Sequence, residues 1–198
     1  MRIISLLLLT LLTGALQGCF PVVATGVGAG ALMIADRRSS GAYIEDEGIE
    51  LKASDRIGKK YKDNKGVHIN VTSFNRNVLL SGEVPDESVK TDIADITKSI
   101  DNVRNVSNEL IVAGATSLTS RSSDTLVTSD IKLRFAQDKR FDVNHVKVVT
   151  ENGTVFLMGL VCEPEANAAT EVASTTGGVQ RVVRLFEYIP CPPAPAKH

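Results

Sequence analysis

VKVVTENGTVFLMGLV, residues 146–161, decides the fold of this chain. Val146 and Val148 alternate with Lys147 and Val149, Glu151-Asn152-Gly153 turns the chain, and Val155 to Val161 runs back. Asn-Gly between two β-branched runs is a strong hairpin signal, because both residues tolerate the positive φ of a tight two-residue turn. Gly159, inside the return strand, marks a bend or a close approach of another backbone. Sliding back 77 residues (152 − 75) finds the same text in VHINVTSFNRNVLLSGEV. Val71 then lies over Val148, Asn75 over Asn152, Val78 over Val155, Leu80 over Leu157, Gly82 over Gly159 and Val84 over Val161.

The repeat extends outward from the hairpin. A helical pattern precedes each copy, with Ile49, Ala53 and Ile57 in the first and Val127, Ile131 and Phe135 in the second, spaced i, i+4, i+8. Asp46 and Glu47 stand at the expected start of the first helix, and Ser123 or Asp124 is the expected N-cap of the second. After each hairpin comes another helix, Glu87 to Ser99 and Glu163 to Ser174, and then a strand, Val106 to Val112 and Val182 to Ile189. From Glu87 onward the offset falls to 76 (163 − 87), so the first copy carries one extra residue, placed in Pro85-Asp86. The order is α-β-β-α-β. A hairpin plus a returning strand gives a three-stranded mixed sheet with two helices on one face, an α+β class. The other sheet face must be wet or must meet something else. A length of 198 residues allows one large domain or two small ones, and the repeat selects two.

The signature V-x-L-x-G-x-V followed by a helix and G-V-x-x-V or its equivalent resembles the BON domain of bacterial envelope proteins. The first copy carries it in Val78 to Val84 with Val103 and Val106, the second in Val155 to Val161 with Val179 and Val182. The expected layout is a signal peptide at 1–18, a lipidated tether at 19–43, BON domain 1 at 44–113, a linker at 114–122, BON domain 2 at 123–190 and a Pro-rich tail at 191–198. The whole resembles the dual-BON outer-membrane lipoproteins, which bind anionic phospholipid and support envelope integrity, including at the division site. That resemblance implies binding through the first helix of the second domain. Where those relatives carry an aromatic near its start, this chain has Leu126.

Arg2 followed by the apolar run Ile3 to Leu12 reads as a secretory signal, too short to span a bilayer core of about 30 Å. It ends in Leu16-Gln17-Gly18-Cys19, which resembles the lipobox of bacterial lipoproteins; the resemblance implies cleavage before Cys19 and acylation of its thiol. Phe20 follows rather than an Asp, which implies sorting to the outer membrane, facing the periplasm. Residues 20–35 are apolar but hold three Gly and a Pro, and read as a tether. Arg37 and Arg38 beyond it either touch anionic headgroups or sit in a solvated linker.

Nothing in the sequence reads as an enzyme. There is no G-x-S-x-G elbow, no phosphate-binding or dinucleotide motif between strand and helix, and no nucleophile–base pair. A net charge of −1 gives no general argument for nucleic acid. His68 and His145 fall at the same repeat position, one residue off the inward valines, so alternation turns both away from their own helices. No Cys or acidic residue is spaced with them for a metal, and they are expected as surface or interface histidines. No cofactor is implied.

The informative helix is the one around Ile131. With Ile131 at 0° and about 100° per residue, Val127 and Phe135 fall within about 40° of it, while Leu126 and Leu133 fall near 220° and 200°. The candidate lipid face is Leu126, Ser129, Lys132, Leu133, Ala136, Gln137 and Arg140, with Arg134 and Lys139 nearby. Such an apolar ridge among cations suits insertion between anionic headgroups, phosphatidylglycerol or cardiolipin. It would equally suit packing against the first repeat. The equivalent helix of the first repeat offers Leu51 beside Asp55, a poorer lipid face. The alternative function is a scaffold that binds outer-membrane assembly machinery or cell-wall enzymes through the ridge and the free sheet face.

Cys162 and Cys191 remain once Cys19 is set apart. The crossover between their strands brings both to one end of the sheet. Adjacent strands lie about 4.8 Å apart and strands one removed about 10 Å, whereas a disulfide needs Cα atoms about 4.4–6.8 Å apart. A bridge and two separate thiols both fit the sequence.

Overall fold

In the computed structural model, residues 36–113 and 118–191 are described, within a compact unit spanning Ile34–His198. The signal, Cys19 and the tether up to residue 35 lie outside the described residues, as do 114–117 and the tail from 192. Ser39 opens the fold. Its Oγ accepts from Ala42 N and starts helix α1, Ser40–Tyr61. The start is a turn and a half earlier than Asp46 suggested, because a side-chain cap fixes a helix end more strongly than a favourable dipole does.

Strands β1 (His68–Phe74) and β2 (Asn77–Val84) form the first hairpin, helix α2 (Glu87–Lys98) follows, and β3 (Asn105–Asn108) returns parallel to β2. The expected single third strand is broken, since Glu109-Leu110 interrupts it before β4 (Ile111–Val112) pairs again with β2. Helix α3 spans Leu118–Gln137. The expected linker at 114–122 is therefore helical from 118, and Ser123 and Asp124 lie inside the helix rather than at its cap. Strands β5 (Val146–Glu151) and β6 (Thr154–Val161), helix α4 (Glu163–Ser174) and strand β7 (Arg181–Tyr188) complete the second copy. The order β5-β6-β7 repeats the antiparallel hairpin and parallel return. The extra residue of the first copy is in the two-residue Pro85-Asp86 connection, where the second copy has Cys162 alone.

Each sheet buries one face under its own helices. Ile49, Ala53 and Ile57 of α1 meet Val78, Leu80, Val84 and Ile93, and Val127, Ile131 and Phe135 of α3 meet Val155, Leu157, Val161 and Ala169. The geometry shared by the two hairpins depends on Gly82 and Gly159: a Cβ on either would run into the carbonyl oxygen of His68 or His145. The other face of each sheet meets the other sheet. Phe74 and Leu79 of the first domain pack on Phe156 and Met158 of the second, with Val149, Leu160, Val183 and Leu185 around them. Two sheets that are marginal alone thus share a third core. The signal was in the sequence for β6, where Phe156, Met158 and Leu160 make both faces apolar, as in strands buried on both faces; on β2 Leu79 shares the seam face with Asn77, Ser81 and Glu83.

Polar side chains close the rim of this seam. Asn75 and Asn77 Nδ2 both donate to Glu187 Oε1 at 2.7 Å, and Arg104 reaches Glu187 at 3.1 Å. Lys147 donates to Glu50 at 2.9 Å. Arg37 grips Glu165 with two nitrogens at 2.6 and 2.9 Å and also donates to the Leu160 carbonyl. Arg38 lies against Asp36 and Asp46 at 2.6 and 2.8 Å and over the Phe74 ring, 4.2 Å from its centroid. Neither arginine is placed for headgroups or bulk solvent, as the sequence suggested; buried carboxylates and an aromatic face hold them instead.

Candidate functional site: the outer face of helix α3

Helix α3 is held by two things besides its core stripe. Asp124 accepts from the backbone N–H groups of Asn152 and Gly153, both at 2.9 Å, which ties the helix to the tip of the second hairpin. Arg134 reaches inward and donates to the Val172 carbonyl and to the hydroxyls of Thr175 and Thr176. The face opposite the core is left outward. Leu126 is 71% exposed and Leu133 64%. They do not pack against the first domain. Ser129, Lys132, Ala136 and Gln137 are exposed around them.

The charge around the ridge is less uniform than the sequence implied. The helix ends at Gln137, so Arg140 is outside it. Its guanidinium is bound by Asp138 and Glu171, each at 2.7 Å. The Arg140 side chain, with its backbone N–H, pulls the Asp138 carboxyl below its ordinary range, and the two carboxylates push Arg140 the other way. Arg134 is spent on α4. Lys132 and Lys139 are the exposed cations nearest the ridge, and exposed Asp130 lies on its other flank.

Two clefts border the helix. One of about 450 Å³ is lined by His68, Asn70, Arg121, Asp124, Ser129, Lys132 and Glu151, among others; a second of about 390 Å³ lies between α1 and α3 and includes Glu47, Glu50, Lys132 and Lys147. Helix α1 exposes a ridge of its own, Ile44 at 66% and Leu51 at 71%, next to exposed Glu47 and Asp55. Ile44 escaped the sequence reading because the helix was expected to begin after it.

At the far end of β6, Cys162 and Cys191 form a disulfide with Cα atoms 5.0 Å apart. β6 and β7 are neighbours, Val161 opposite Tyr188, so the closer of the two spacings applies. Next to it Glu165 accepts from Cys162 N at 2.9 Å. Burial pushes the Glu165 carboxyl up, but Arg37 and the Cys162 N–H outweigh it and hold the group below its ordinary value. No helix among the described residues is long and apolar enough to cross a membrane.

The family model for the BON domain matches residues 45–114 and 123–190. The outer membrane lipoprotein DolP of Haemophilus influenzae is 36% identical over 184 residues, covering 91% of this chain and 95% of that protein. A 21 kDa hemolysin of Actinobacillus pleuropneumoniae is 30% identical, covering 78% of this chain and 79% of that protein. The osmotically-inducible protein Y of Escherichia coli is 28% identical over 80% of each. With both copies matched by the family model and a relative aligned end to end, the chain belongs to the BON-domain family, carrying two copies.

Proposed function

We propose that this chain is a non-enzymatic, lipid-anchored protein of the outer membrane, facing the periplasm, that binds anionic phospholipid through the outer face of α3 and supports envelope integrity, including at the division site. The observation that carries the reading is the exposed pair Leu126 and Leu133, one apolar ridge on a helix whose core stripe is fully used elsewhere. An aliphatic pair of this kind enters the acyl boundary while Lys132 and Lys139 remain among headgroups. The lipobox-like Cys19 and the likeness to an outer membrane lipoprotein support a tether on the same membrane. Two weak attachments on one surface then reinforce each other.

Flotation of residues 36–198 with liposomes tests this, since that segment holds all but the first two residues of the compact unit and omits Cys19. Binding that requires phosphatidylglycerol or cardiolipin, and vanishes on phosphatidylcholine alone, is the expected result. A protein-binding scaffold is the second reading, favoured by the Ile44/Leu51 ridge: Glu47 and Asp55 beside it repel an anionic membrane but suit a basic protein partner, whether outer-membrane assembly machinery or a cell-wall enzyme. Absence of flotation at every lipid composition would leave only that reading.

A further inference from the structure

His68 stands opposite Glu83 across the first hairpin, on the same face as Phe74 and Leu79, and so points into the seam. Glu151, at the end of β5, projects into the seam from the other side, on the face that carries Val149. Donor atoms of the three residues lie within 4.8 Å of one another. Glu83 is fully buried and Glu151 is 7% exposed. Asparagines from the opposing domains fix both carboxylates: Asn152 Nδ2 donates to Glu83 Oε1 at 2.6 Å, and Asn70 Nδ2 to Glu151 Oε2 at 2.6 Å. The cleft of about 450 Å³ beside α3 reaches His68 and Glu151 and connects them to solvent.

We propose that His68, Glu83 and Glu151 form a site for a zinc-like divalent cation that joins the two domains. Two carboxylates this deep and this close are unfavourable as a pair of anions, and a doubly charged cation neutralises both. The imidazole decides the class of metal. Magnesium and calcium prefer all-oxygen shells, whereas one nitrogen with two carboxylate oxygens suits zinc and its neighbours, with a water in the fourth position. Tetrahedral bonds of about 2.0–2.1 Å place donors about 3.3 Å apart, so donors up to 4.8 Å apart have to close by up to about 1.5 Å, a movement that side-chain rotations of the two glutamates supply. The asparagine contacts act as the outer partners that orient ligands in such sites. Because two ligands come from one domain and the third from the other, binding favours the docked arrangement.

The test uses the untagged full-length chain in detergent, stripped with a chelator and then titrated with zinc chloride. The site predicts one zinc per chain by native mass spectrometry and a rise in Tm of about 5 °C at a hundredfold excess over Kd. The rise should disappear in His68→Ala and in Glu151→Gln, persist in His145→Ala, and not be reproduced by magnesium. Each shift is read against that variant's own chelated baseline, and the near-isosteric Glu151→Gln carries the test if His68→Ala fails to fold. No zinc-dependent shift in the unaltered chain, a shift that survives both substitutions, or an equal response to magnesium would each overturn the site.

Discussion

Asp46 and Asp124 occupy equivalent places in the two domains, each on the first helix and each bound to the tip of its own hairpin. They are loaded unequally. Asp46 accepts from Ser73 Oγ at 2.6 Å, from the Asn75 and Arg76 N–H groups at 2.7 Å and from Arg38 at 2.8 Å. Asp124 accepts only the two turn N–H groups, among the hydrogen bonds of described residues. The turns explain the difference. Asn152-Gly153 has φ of 49° and 70°, and glycine takes the second value without penalty; Asn75-Arg76 has 51° and 65°, and Arg76 carries a Cβ there. The first domain holds a strained turn with a stronger clamp, and the second uses a glycine and a weaker one.

Asp46→Ala should cost about 4 kcal/mol and Asp124→Ala about 2 kcal/mol, given roughly 1–3 kcal/mol for each hydrogen bond to a buried charge, read by urea denaturation. Arg76→Gly in the Asp46→Ala background should recover about 1 kcal/mol, whereas no recovery would detach the clamp from the turn. Equal losses at the two aspartates would show that the extra donors of Asp46 contribute nothing.

The disulfide is the second asymmetry, since it ties only the second domain. Replacing Cys162 and Cys191 by Ser should lower stability by about 3 kcal/mol, the chain-entropy value for a loop of this size. Alkylation of the unreduced mature protein from periplasm should label neither residue; two labelled thiols would remove the bridge.

Leu133→Glu or Leu126→Glu should weaken binding to anionic vesicles by at least about tenfold while changing stability by less than about 0.5 kcal/mol, the usual range for exposed sites. Ile44→Glu and Leu51→Glu should leave vesicle binding unchanged. Equal losses on both helices would make the membrane contact a property of the pair of domains rather than of α3.

What the sequence made legible was local. The hairpin turns, the glycines in β2 and β6 and the i, i+4, i+8 stripes of α1 and α3 are short-range patterns whose physics repeats at fixed spacing, and all of them appear in the structure. The clamps were not legible, because a helix Asp that caps a turn 28 or 30 residues away looks like a helix-start residue. Arg37 misled for the same reason: a pair of cations beside a lipobox-like segment suggests headgroups, and a partner 128 residues on has no local signature. Arg38 is different, since its partners Asp36 and Asp46 are two and eight residues away. The His68, Glu83 and Glu151 cluster draws on three strands in two domains. Of the outer face of α3, the two leucines could be placed from the helical angle alone, but Arg140 could not, since its position depended on where the helix ends.

The smallest expected effects concern the charges beside the Leu126/Leu133 ridge, and they separate cations that are available from cations that are not. Lys132 is exposed on the ridge's flank, whereas Arg140 is already bound to Asp138 and Glu171. A cation near an anionic surface contributes enough that Lys132→Glu should reduce vesicle affinity about fivefold or more and flatten its dependence on salt. Arg140→Glu reverses a charge beyond the end of α3, away from the Leu126/Leu133 ridge, so screening over about 8 Å at physiological salt should keep its effect below about twofold. Asp130 works in the opposite sense. It stands on the other flank of the ridge, where it repels the same headgroups, and Asp130→Asn should raise affinity by about twofold at low salt, with the gain fading as salt rises. Vesicle titrations at two ionic strengths read all three together. If Arg140→Glu is as damaging as Lys132→Glu, the ion pairs at Asp138 and Glu171 open on the membrane, and the binding face extends past the end of α3.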